Sequence, residues 1–567
     1  MPQLRNSFRS FRFLSTEVRG MHQAAYLLAV FAFGSQLLAL VRDRLLASAF
    51  GAGHTLDLYY AAFRVPDFLF ATVASLFSLY ALLPILSRLE REQEGLMISF
   101  LRDILWVFFL GMAVVCAIAY ALAPALVPYI APGFAADPAS RMQLIILVRI
   151  LLLQPILLGA SNTIAALTQL RHRFVLYSVS PLLYNLGIIF GAVVLYPRFG
   201  IAGLGFGVVS GALLHLLIQV PFFLGEKRGD KIPLSRMLRG VREVLVLSIP
   251  RTFALASTQV SLLAITAMAS FLASGSIAIF TFAYNLQSVP LTIIGVSYSV
   301  AAFPTFARLY AAGAHEEFAR YTEAALRHIL FWATPATIFV IVLRAQIVRT
   351  ILGSGQFDWN ATRLTAAALS LFILSLAAQS ITLLIARAYY ATGNTRKPLY
   401  YGCADITVSI ISALSLLTLF NDNMFFRNFV EALLRVQDIP GTAVLMLALG
   451  YALGSIAEFI IGYMYFVRDF GLSHQRLTRL IFESFSASVI GGVASYGILS
   501  VSGSVQNIST TLGVFAQGAV AGTVGLIITG AILWLLKNEE FSEAVAALML
   551  KFRGAPVTVA VEPSDLS

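Results

Sequence analysis

Apolar runs of about 20 residues recur along almost the whole chain, and only short polar segments separate them. A helix rises about 1.5 Å per residue, so each run is long enough to cross a hydrocarbon core of about 30 Å. The composition agrees, because 59% of the 567 residues are hydrophobic, 12% are charged and the mean hydropathy is +0.83. We therefore expect an all-α polytopic membrane protein.

The apolar runs predict about fourteen membrane-spanning helices. We expect no structural disulfide, because Cys116 and Cys403 both fall inside predicted spans. The first apolar region is too long for a signal peptide, which predicts an uncleaved first helix. The predicted spans lie at 22–49, 58–86, 100–128, 142–168, 177–196, 202–224, 244–272, 277–307, 326–352, 362–389, 399–420, 441–466, 481–501 and 510–536.

Basic residues are concentrated on one side of the predicted spans. If the N-terminus is cytoplasmic, the cytoplasmic segments are rich in Arg and Lys, and the segment 227–242 alone holds six of them. The opposite segments at 54–57, 273–276 and 501–507 are nearly free of both. This positive-inside pattern predicts an even number of spans with both termini in the cytoplasm. The net charge of +11 then needs no nucleic-acid partner, because anchoring at anionic membrane lipids explains it.

An internal repeat organises the predicted helices. LPILSRL at 83–89 matches FPTFARL at 303–309 at an offset of 220 residues, and each motif closes a long helix that follows a small-residue turn. Six helices separate the two units, which favours parallel repeats of the kind found in transporters, although chance similarity is the alternative. The predicted parts are an N-lobe at 1–225 with helices 1–6, a C-lobe at 226–470 with helices 7–12, helices 13–14 at 471–540 and a cytoplasmic tail at 541–567.

Between the two halves, the segment 314–330 has an amphipathic pattern. Phe318, Tyr321 and Leu326 share one helical face, whereas most of the charged residues lie elsewhere. We interpret this segment as an interfacial helix on the cytoplasmic surface that braces the two bundles.

Arginines and acids within the predicted spans are the candidate binding residues. A charge at the centre of a membrane costs about 2.5–3.5 kcal/mol on insertion scales, so such groups usually face a cavity or a partner. We predict that Arg42, Arg64 and Arg251 line a cavity that attracts an anion. Alternatively, the first two pair with acids for structure alone and Arg251 reaches the cytoplasmic interface. The acids expected to hold the arginines by pairing are Asp43, Asp57 and Asp67.

Other polar residues inside the spans extend this prediction. Gln36 shares a helix face with Asp43, and Gln259 lies further along the seventh helix, so both are cavity candidates. Asp405 and Glu458 are carboxylates without an evident basic partner, which makes them candidates for coupling to an ion or proton. Solvation near the inner face is the alternative for these two.

The sequence carries no catalytic signature. It contains no GxxxxGK[ST] motif and no HExxH motif, and its seven histidines show no metal-ligand spacing. We therefore predict a membrane transporter rather than an enzyme, with no resident cofactor.

Several segments resemble one family. RDRLLASAFGAGHTLDLYYAAFRVPDFL at 42–69 is similar to the first-helix and second-helix signature of the MviN/MurJ lipid II flippases, in the multidrug/oligosaccharidyl-lipid/polysaccharide exporter superfamily. IPRTFALASTQVSLL at 249–263, ASFLASGSI at 269–277 and NLQSVPLTIIGVSYSVAAFPTFARL at 285–309 also match its pattern. The resemblance implies a V-shaped bundle of two six-helix lobes, with the extra helix pair forming a groove for the undecaprenyl tail.

The resemblance also implies an activity. It implies transfer of lipid-linked peptidoglycan precursor from the inner to the outer leaflet of the bacterial inner membrane by alternating access, in support of the cell wall and cell shape. Membrane potential or a sodium or proton gradient would drive the transfer. We expect a monomer whose partners are the lipid-linked anionic substrate, membrane lipids and the cell-wall synthesis machinery.

Functional residues of the family can be carried over one by one. Its first-helix Arg-Asp pair falls on Arg42 and Asp43, the acid after the turn on Asp57, and the basic residue before the second-helix proline on Arg64. Three family arginines are replaced here, and Arg251 offers a substitute charge. This difference leaves another lipid-linked glycan open as the substrate, and a cation-coupled small-molecule exporter is the other alternative. The three replacing residues are Gln36, Phe70 and Asn285, and by the resemblance Gln36 and Asn285 are expected to line the cavity.

Overall fold

The structure is a computed structural model that describes residues 21–552 except 78–81, 83–84, 87, 91–93, 227–232, 472–474 and 506–509. The described residues form helices joined by short turns, and none of them lies in a strand. Eleven helices of this part of the chain are long and apolar enough to cross a membrane. The predicted all-α polytopic class is confirmed, whereas the count of fourteen spans is not.

We number the described helices in chain order. The first eleven are α1 (Met21–Phe50), α2 (His54–Ala62), α3 (Arg64–Thr72), α4 (Glu94–Ile130), α5 (Pro132–Ala135), α6 (Pro138–Leu151), α7 (Leu153–Leu170), α8 (Phe174–Phe190), α9 (Tyr196–Phe199), α10 (Ile201–Leu217) and α11 (Val220–Gly225). The others are α12 (Leu234–Ala269), α13 (Ser276–Leu291), α14 (Ser297–Ala311), α15 (His315–Leu352), α16 (Trp359–Phe372), α17 (Leu376–Ala391), α18 (Arg396–Asp422), α19 (Met424–Leu434), α20 (Val444–Phe470), α21 (Gln475–Val505), α22 (Thr511–Leu535) and α23 (Glu539–Phe552).

The chain forms two compact units that each draw on several segments. The predicted division of the chain into lobes that end at residues 225 and 470 stays a prediction. The first unit comprises Met1–Leu286, Ile351–Leu371 and Thr395–Glu458, and the second comprises Gln287–Thr350, Phe372–Asn394 and Phe459–Ser567.

In the first unit, glycines let α8 and α10 approach closely. A Cβ atom added at Gly187 would overlap the backbone of Gly211, and one added at Gly191 would overlap the backbone of Gly207. Close contact along such a glycine seam is typical of membrane helices, which gain van der Waals packing where small residues face each other. This close packing fixes the position of α8 against α10. Helix α8 contributes polar residues to the site described below.

Helix α6 illustrates how the core of the first unit is built. Leu144, Leu147, Val148 and Leu151 are fully buried, and their spacing of three and four residues places them on one helix face. The opposite face of this helix is exposed. An apolar stripe packed inward thus orients the helix, as the 3.6-residue period requires.

The predicted second span contains a break between α2 and α3 at Phe63. Pro66 lies in the first turn of α3 and has no N–H group to donate to the carbonyl of Ala62. The helix therefore ends at Ala62 and begins again at Arg64. This break places Arg64 at the start of a new helix.

In the second unit, α21 and α22 form an antiparallel pair with glycines at their contact. Gly491 faces Gly525 and Thr529, and Gly525 also lies against Phe339 of α15. About three turns earlier in α15, Arg327 forms ion pairs of 3.4 Å with Glu539 and 3.3 Å with Glu540 of α23. The pair and the terminal helix α23 are thus both attached to α15.

The segment predicted as an interfacial helix is the first part of the continuous 38-residue helix α15, which runs without a break from His315 to Leu352. It is therefore not divided from the predicted span at 326–352, and its place at the cytoplasmic surface stays a prediction. No glycine or proline occurs between residues 315 and 334, so nothing interrupts the hydrogen-bond ladder there. Phe318 and Leu326 are buried, as expected for the apolar face of this segment.

Candidate functional site

A polar centre around Arg42 joins three helices of the first unit. Arg42 donates to Asp43 Oδ1 through Nε (2.9 Å) and Nη2 (2.7 Å), and it donates to Asn185 Oδ1 of α8 through Nη1 (2.9 Å). Asn285 of α13 donates from Nδ2 to the other Asp43 oxygen at 3.0 Å. Asp43 is 5% exposed and Arg42 is 20% exposed. The guanidinium is therefore held in a fixed orientation with one edge still accessible.

A second centre lies around Arg64. Its Nε donates to the Thr266 hydroxyl of α12 at 2.7 Å, and that hydroxyl donates in turn to the carbonyl of Leu262. Asp67 lies one turn further along α3, attracts Arg64 electrostatically and accepts a hydrogen bond from Gln154. Of the five N–H donors of Arg64, only the Nε donor is bonded to a described residue. Its outer nitrogens therefore have donors left for a ligand.

Both arginines line one cavity of about 270 Å³ within the first unit. Pockets for drug-sized ligands are about 300–1,000 Å³, so this cavity suits a compact anionic group rather than a whole lipid-linked precursor. Four tyrosine rings form much of its wall. The lining residues are Arg42, Leu46, Tyr59, Tyr60, Phe63, Arg64, Asp67, Tyr184, Ile188, Gln259, Leu262, Phe280, Thr281, Tyr284 and Asn285.

Three buried polar atoms of this lining have no hydrogen-bond partner among the described residues. They are the hydroxyl of Tyr60, the side-chain oxygen of Gln259 and the hydroxyl of Thr281. Buried polar groups are nearly always paired, so unpaired ones that line a cavity indicate a place where a polar ligand or water binds. The cavity thus offers two cations together with uncharged donors and acceptors.

Most of the predicted cavity residues meet here, but not all of them. Arg42, Arg64, Gln259 and Asn285 line the cavity, as does the predicted supporting acid Asp67. Gln36 of α1 and Phe70 of α3 are half-buried and lie outside this lining. The side chain of Arg251 lies outside the described residues, so its predicted place in the cavity stays a prediction.

Asp57 has a different role from the predicted pairing with an arginine. Its carboxylate accepts hydrogen bonds from the backbone N–H groups of Gly275 (2.6 Å) and Ala278 (2.9 Å), at the start of α13. Free N–H groups and the positive end of the helix dipole make this a favourable place for a carboxylate. Gly275 has a φ of +92°, and a Cβ there would overlap the carbonyl of Ala52. Asp57 therefore fixes the turn before α13.

The predicted coupling residues lie at a separate polar cluster. Asp405 of α18 accepts hydrogen bonds from Ser261 of α12 at 3.0 Å and from Ser409 at 3.3 Å. Glu458 of α20 is close enough to interact electrostatically with Asp405. Within the part of the chain that the structure describes, neither carboxylate forms an ion pair, in agreement with the sequence.

Sequence reasoning missed several residues that line the cavity or hold its arginines in place. Asn185 is a lone amide in the otherwise apolar run of α8, and Tyr59 and Tyr60 stand between Asp57 and Arg64. The amide was a usable signal, since a polar group inside a span usually faces a partner. Thr266 carried no such signal in the sequence, because the hydroxyl of a threonine in a helix commonly donates to a carbonyl of its own preceding turn.

The fold is that of a known class of membrane transporters. A solved structure of the lipid II flippase MurJ in an inward closed conformation superposes with a TM-score of 0.67, at 19% identity over 90% of this chain and 100% of that one. An inward-facing MATE family multidrug resistance transporter of the MOP superfamily gives a TM-score of 0.61 at 14% identity, over 77% of this chain and 94% of that one. This chain therefore shares the multi-helix membrane fold of these two proteins.

The family follows from the sequence comparison. The model of the family "Lipid II flippase MurJ" matches residues 46–517, which is most of the chain. A lipid II flippase MurJ from Burkholderia cenocepacia is 26% identical over 388 residues, covering 67% of this chain and 75% of the relative. This chain belongs to the lipid II flippase MurJ family. The predictions of a multi-pass membrane transporter rather than an enzyme, and of a lipid-linked substrate, are thereby confirmed.

Proposed function

We propose that this protein transfers lipid II, a polyprenyl-diphosphate-linked peptidoglycan precursor, from the inner to the outer leaflet by alternating access. The observation that carries this proposal is the pair of arginines that line one cavity with N–H donors left over. A diphosphate presents several anionic oxygens, and a guanidinium binds such oxygens through two parallel hydrogen bonds. Family membership supports the same substrate.

The two arginines have complementary tasks in this mechanism. Arg42 is held by Asp43 and Asn185, so it presents its remaining donors without losing side-chain entropy on binding. Arg64 has more donors available and would form most of the new hydrogen bonds to the diphosphate. The unpaired atoms of Tyr60, Gln259 and Thr281 would then bond to hydroxyl or amide groups of the adjoining sugar.

A different lipid-linked glycan is the second candidate for the substrate. Gln36, Phe70 and Asn285 stand where the resemblance places arginines, and Asn285 donates to Asp43 instead of adding a charge. A cavity with fewer cations attracts a highly charged head group less strongly. The choice between these substrates depends on the head group, since the diphosphate is common to both.

We further propose that Asp405 and Glu458 couple the transfer to a sodium or proton gradient. Asp405 is buried, bonded to two hydroxyls and close to a second carboxylate. Like charges held near each other favour the uptake of a cation. Asp405→Asn would leave substrate binding intact but remove the dependence of transport on the gradient, whereas Ser415→Ala on the exposed side of α18 would change neither.

The remaining proposals concern the surroundings of the protein. Both termini would lie on the cytoplasmic side of a bacterial inner membrane, in keeping with the distribution of basic residues. We expect a monomer that meets the cell-wall synthesis machinery, to which it delivers its product.

The experiment is complementation of a bacterium depleted of its own lipid II flippase. We would compare the wild type, Arg42→Ala and Arg64→Ala at matched membrane levels, and measure both growth and the amount of lipid II exposed to a membrane-impermeant probe. The matched control is Arg149→Ala, since Arg149 lies in a membrane helix but donates to the carbonyl of Tyr120 outside the cavity. We expect rescue by the wild type and the control only.

The other outcomes separate the alternatives. A well-expressed wild type that fails to expose lipid II would shift the substrate to another lipid-linked glycan. Full rescue by both cavity variants would contradict the proposed role of the two arginines.

A further inference from the structure

The connection between the spans α18 and α20 contains an amphipathic helix that transport does not explain. Helix α19 begins directly after Asn423, whose side chain accepts a hydrogen bond from the backbone N–H of Phe426 at 3.0 Å. It ends at Arg435, which adopts a left-handed conformation with φ of +60°. The eleven residues of α19 therefore form a helix with defined ends on both sides.

One face of α19 is apolar and uncovered. Phe425, Phe429 and Leu433 follow each other at intervals of four residues, and they are 82%, 56% and 65% exposed. Side chains at this spacing lie on one helix face. Val430 and Leu434 point to the opposite side and are buried against the protein. The exposed stripe is thus a continuous apolar surface and not a set of isolated side chains.

Polar contacts hold this orientation in place. The buried carboxylate of Glu431 accepts hydrogen bonds from Arg427 at 3.1 Å and from the hydroxyl of Thr442 at 2.6 Å. Beyond the helix, Arg363 of α16 forms an ion pair of 2.7 Å with Asp438. The hydrogen bond from Arg363 holds the pKa of the Asp438 carboxyl below its ordinary value. Helix α19 cannot rotate its apolar stripe inward without breaking the hydrogen bond between Glu431 and Thr442.

The position of α19 along the chain indicates what covers the stripe. Only Asn423 separates it from the membrane span α18, whose side chains Ile411 and Leu414 are also apolar and exposed. The guanidinium of Arg427 lies 5.6 Å from the centre of the Phe420 ring, so α19 folds back onto the end of that span. The stripe therefore lies close along the chain to the apolar surface that a membrane span presents to lipid.

A protein partner fits this surface less well than lipid does. A stable protein interface buries about 800 Å² on each side, which exceeds what three side chains on one short helix provide. Phenylalanine and leucine on one face and a basic residue on the other are typical of helices that lie in the headgroup region.

We propose that α19 lies in the headgroup region of the membrane, with Phe425, Phe429 and Leu433 inserted among the lipid acyl chains. By the proposed orientation of the spans, this is the outer leaflet. The helix would anchor the connection between α18 and α20 to the membrane surface.

Spin labels at single cysteines test this proposal. In full-length protein carrying Cys116→Ala and Cys403→Ser, a nitroxide is attached at Leu433→Cys or, as matched control on the polar side of the same helix, at Asn428→Cys. Leu414→Cys serves as the lipid reference and Gln437→Cys, an exposed residue of the same connection, as the water reference. After reconstitution into vesicles of phosphatidylethanolamine and phosphatidylglycerol, collisions with oxygen and with a water-soluble nickel complex are measured.

We expect the label at residue 433 to match the lipid reference, with frequent oxygen collisions and few nickel collisions, and the label at 428 to match the water reference. Equal nickel access at 433 and 437 would overturn the proposal, because α19 would then lie in water. Protection of residue 433 from both reagents would also overturn the proposal, because the label would then be packed against protein, and dipolar broadening between labels would identify a second copy as the occupant. Modification of Asn428→Cys in intact spheroplasts by a membrane-impermeant thiol reagent would support the outer leaflet, and modification only in inverted vesicles would overturn that assignment.

Discussion

Arg42 and Arg64 line the same cavity, yet the protein holds them in different ways. Among the described residues, Asp43 and Asn185 accept bonds from three of the five N–H donors of Arg42, whereas Arg64 uses one donor, to Thr266. A bonded guanidinium stabilises the fold and has a fixed direction, while one with open donors contributes more to ligand binding. The comparison teaches that a charge in a membrane helix can serve stability and recognition in different proportions, even within one cavity.

The largest effect should come from removing the counter-ion of Arg42. Asp43→Ala leaves a buried guanidinium without its carboxylate, so we expect the free energy of unfolding to fall by about 3 kcal/mol and transport to be lost. Thermal unfolding in detergent measures the first effect. Asp43→Asn keeps an acceptor oxygen and should lose less. An unfolding curve of Asp43→Ala that overlaps the wild-type curve would show that the pair does not stabilise the fold.

Replacing each arginine by an uncharged residue tests directly whether Arg42 and Arg64 differ in their contributions to stability and to transport. Arg64→Gln should lower transport about 100-fold with little change in unfolding, because the loss of a binding charge is worth about 2–5 kcal/mol. Arg42→Gln should lower both transport and stability, since it leaves the buried Asp43 carboxylate without its counter-ion. Arg149→Gln is the control for a membrane arginine outside the cavity. Equal loss of stability in both cavity variants would refute the proposed division of tasks.

Removing the hydroxyl that holds Arg64 should have an intermediate effect. Thr266→Val removes the one hydrogen bond that Arg64 forms with a described residue. A hydrogen bond to a charged group is worth about 1.5–3 kcal/mol. We expect transport to fall about tenfold because Arg64 is no longer oriented. Thr266→Ser retains the hydroxyl and should transport normally. If both variants behave alike, side-chain volume rather than hydrogen bonding matters at this position.

The smallest effect is expected at Thr281, whose buried hydroxyl has no partner among the described residues. Thr281→Val should leave stability unchanged or raise it by up to about 1 kcal/mol, since an unpaired polar group is removed. Transport should fall about threefold if the hydroxyl bonds to the substrate. The control is Thr322→Val, which loses a buried hydroxyl bonded to the Phe318 carbonyl and should be less stable. Unchanged transport in Thr281→Val would remove this residue from the binding site.

The sequence predicted the helical class and part of the cavity because both depend on strong local signals. Long apolar runs leave few alternatives to membrane-spanning helices, and arginines within them must face a cavity or a partner. The structure places Arg42, Arg64 and Gln259 in the lining of one cavity, together with Asn285, which the family resemblance pointed to. Their role in binding an anion stays a prediction.

Other features depend on contacts that sequence spacing does not encode. The partners Asn185 and Thr266 lie 143 and 202 residues from the arginines that they bind. Asp57 was expected beside an arginine, but the free N–H groups at the start of α13 attract it more strongly. Helix α19 was missed although MFFRNFVEALL has an amphipathic period, because its eleven residues are too few to span a membrane.

The glycine seam between α8 and α10 limits how this sequence can evolve. A steric clash between two helices can usually be relieved by a smaller side chain on the opposite helix. At Gly187 and Gly191, however, the atoms on the opposite helix are main chain, which no substitution can make smaller. Every amino-acid replacement at these positions adds at least a Cβ atom. A compensating second mutation is therefore not available, and we expect both positions to stay glycine in functional libraries while neighbouring lipid-exposed residues such as Leu186 vary freely.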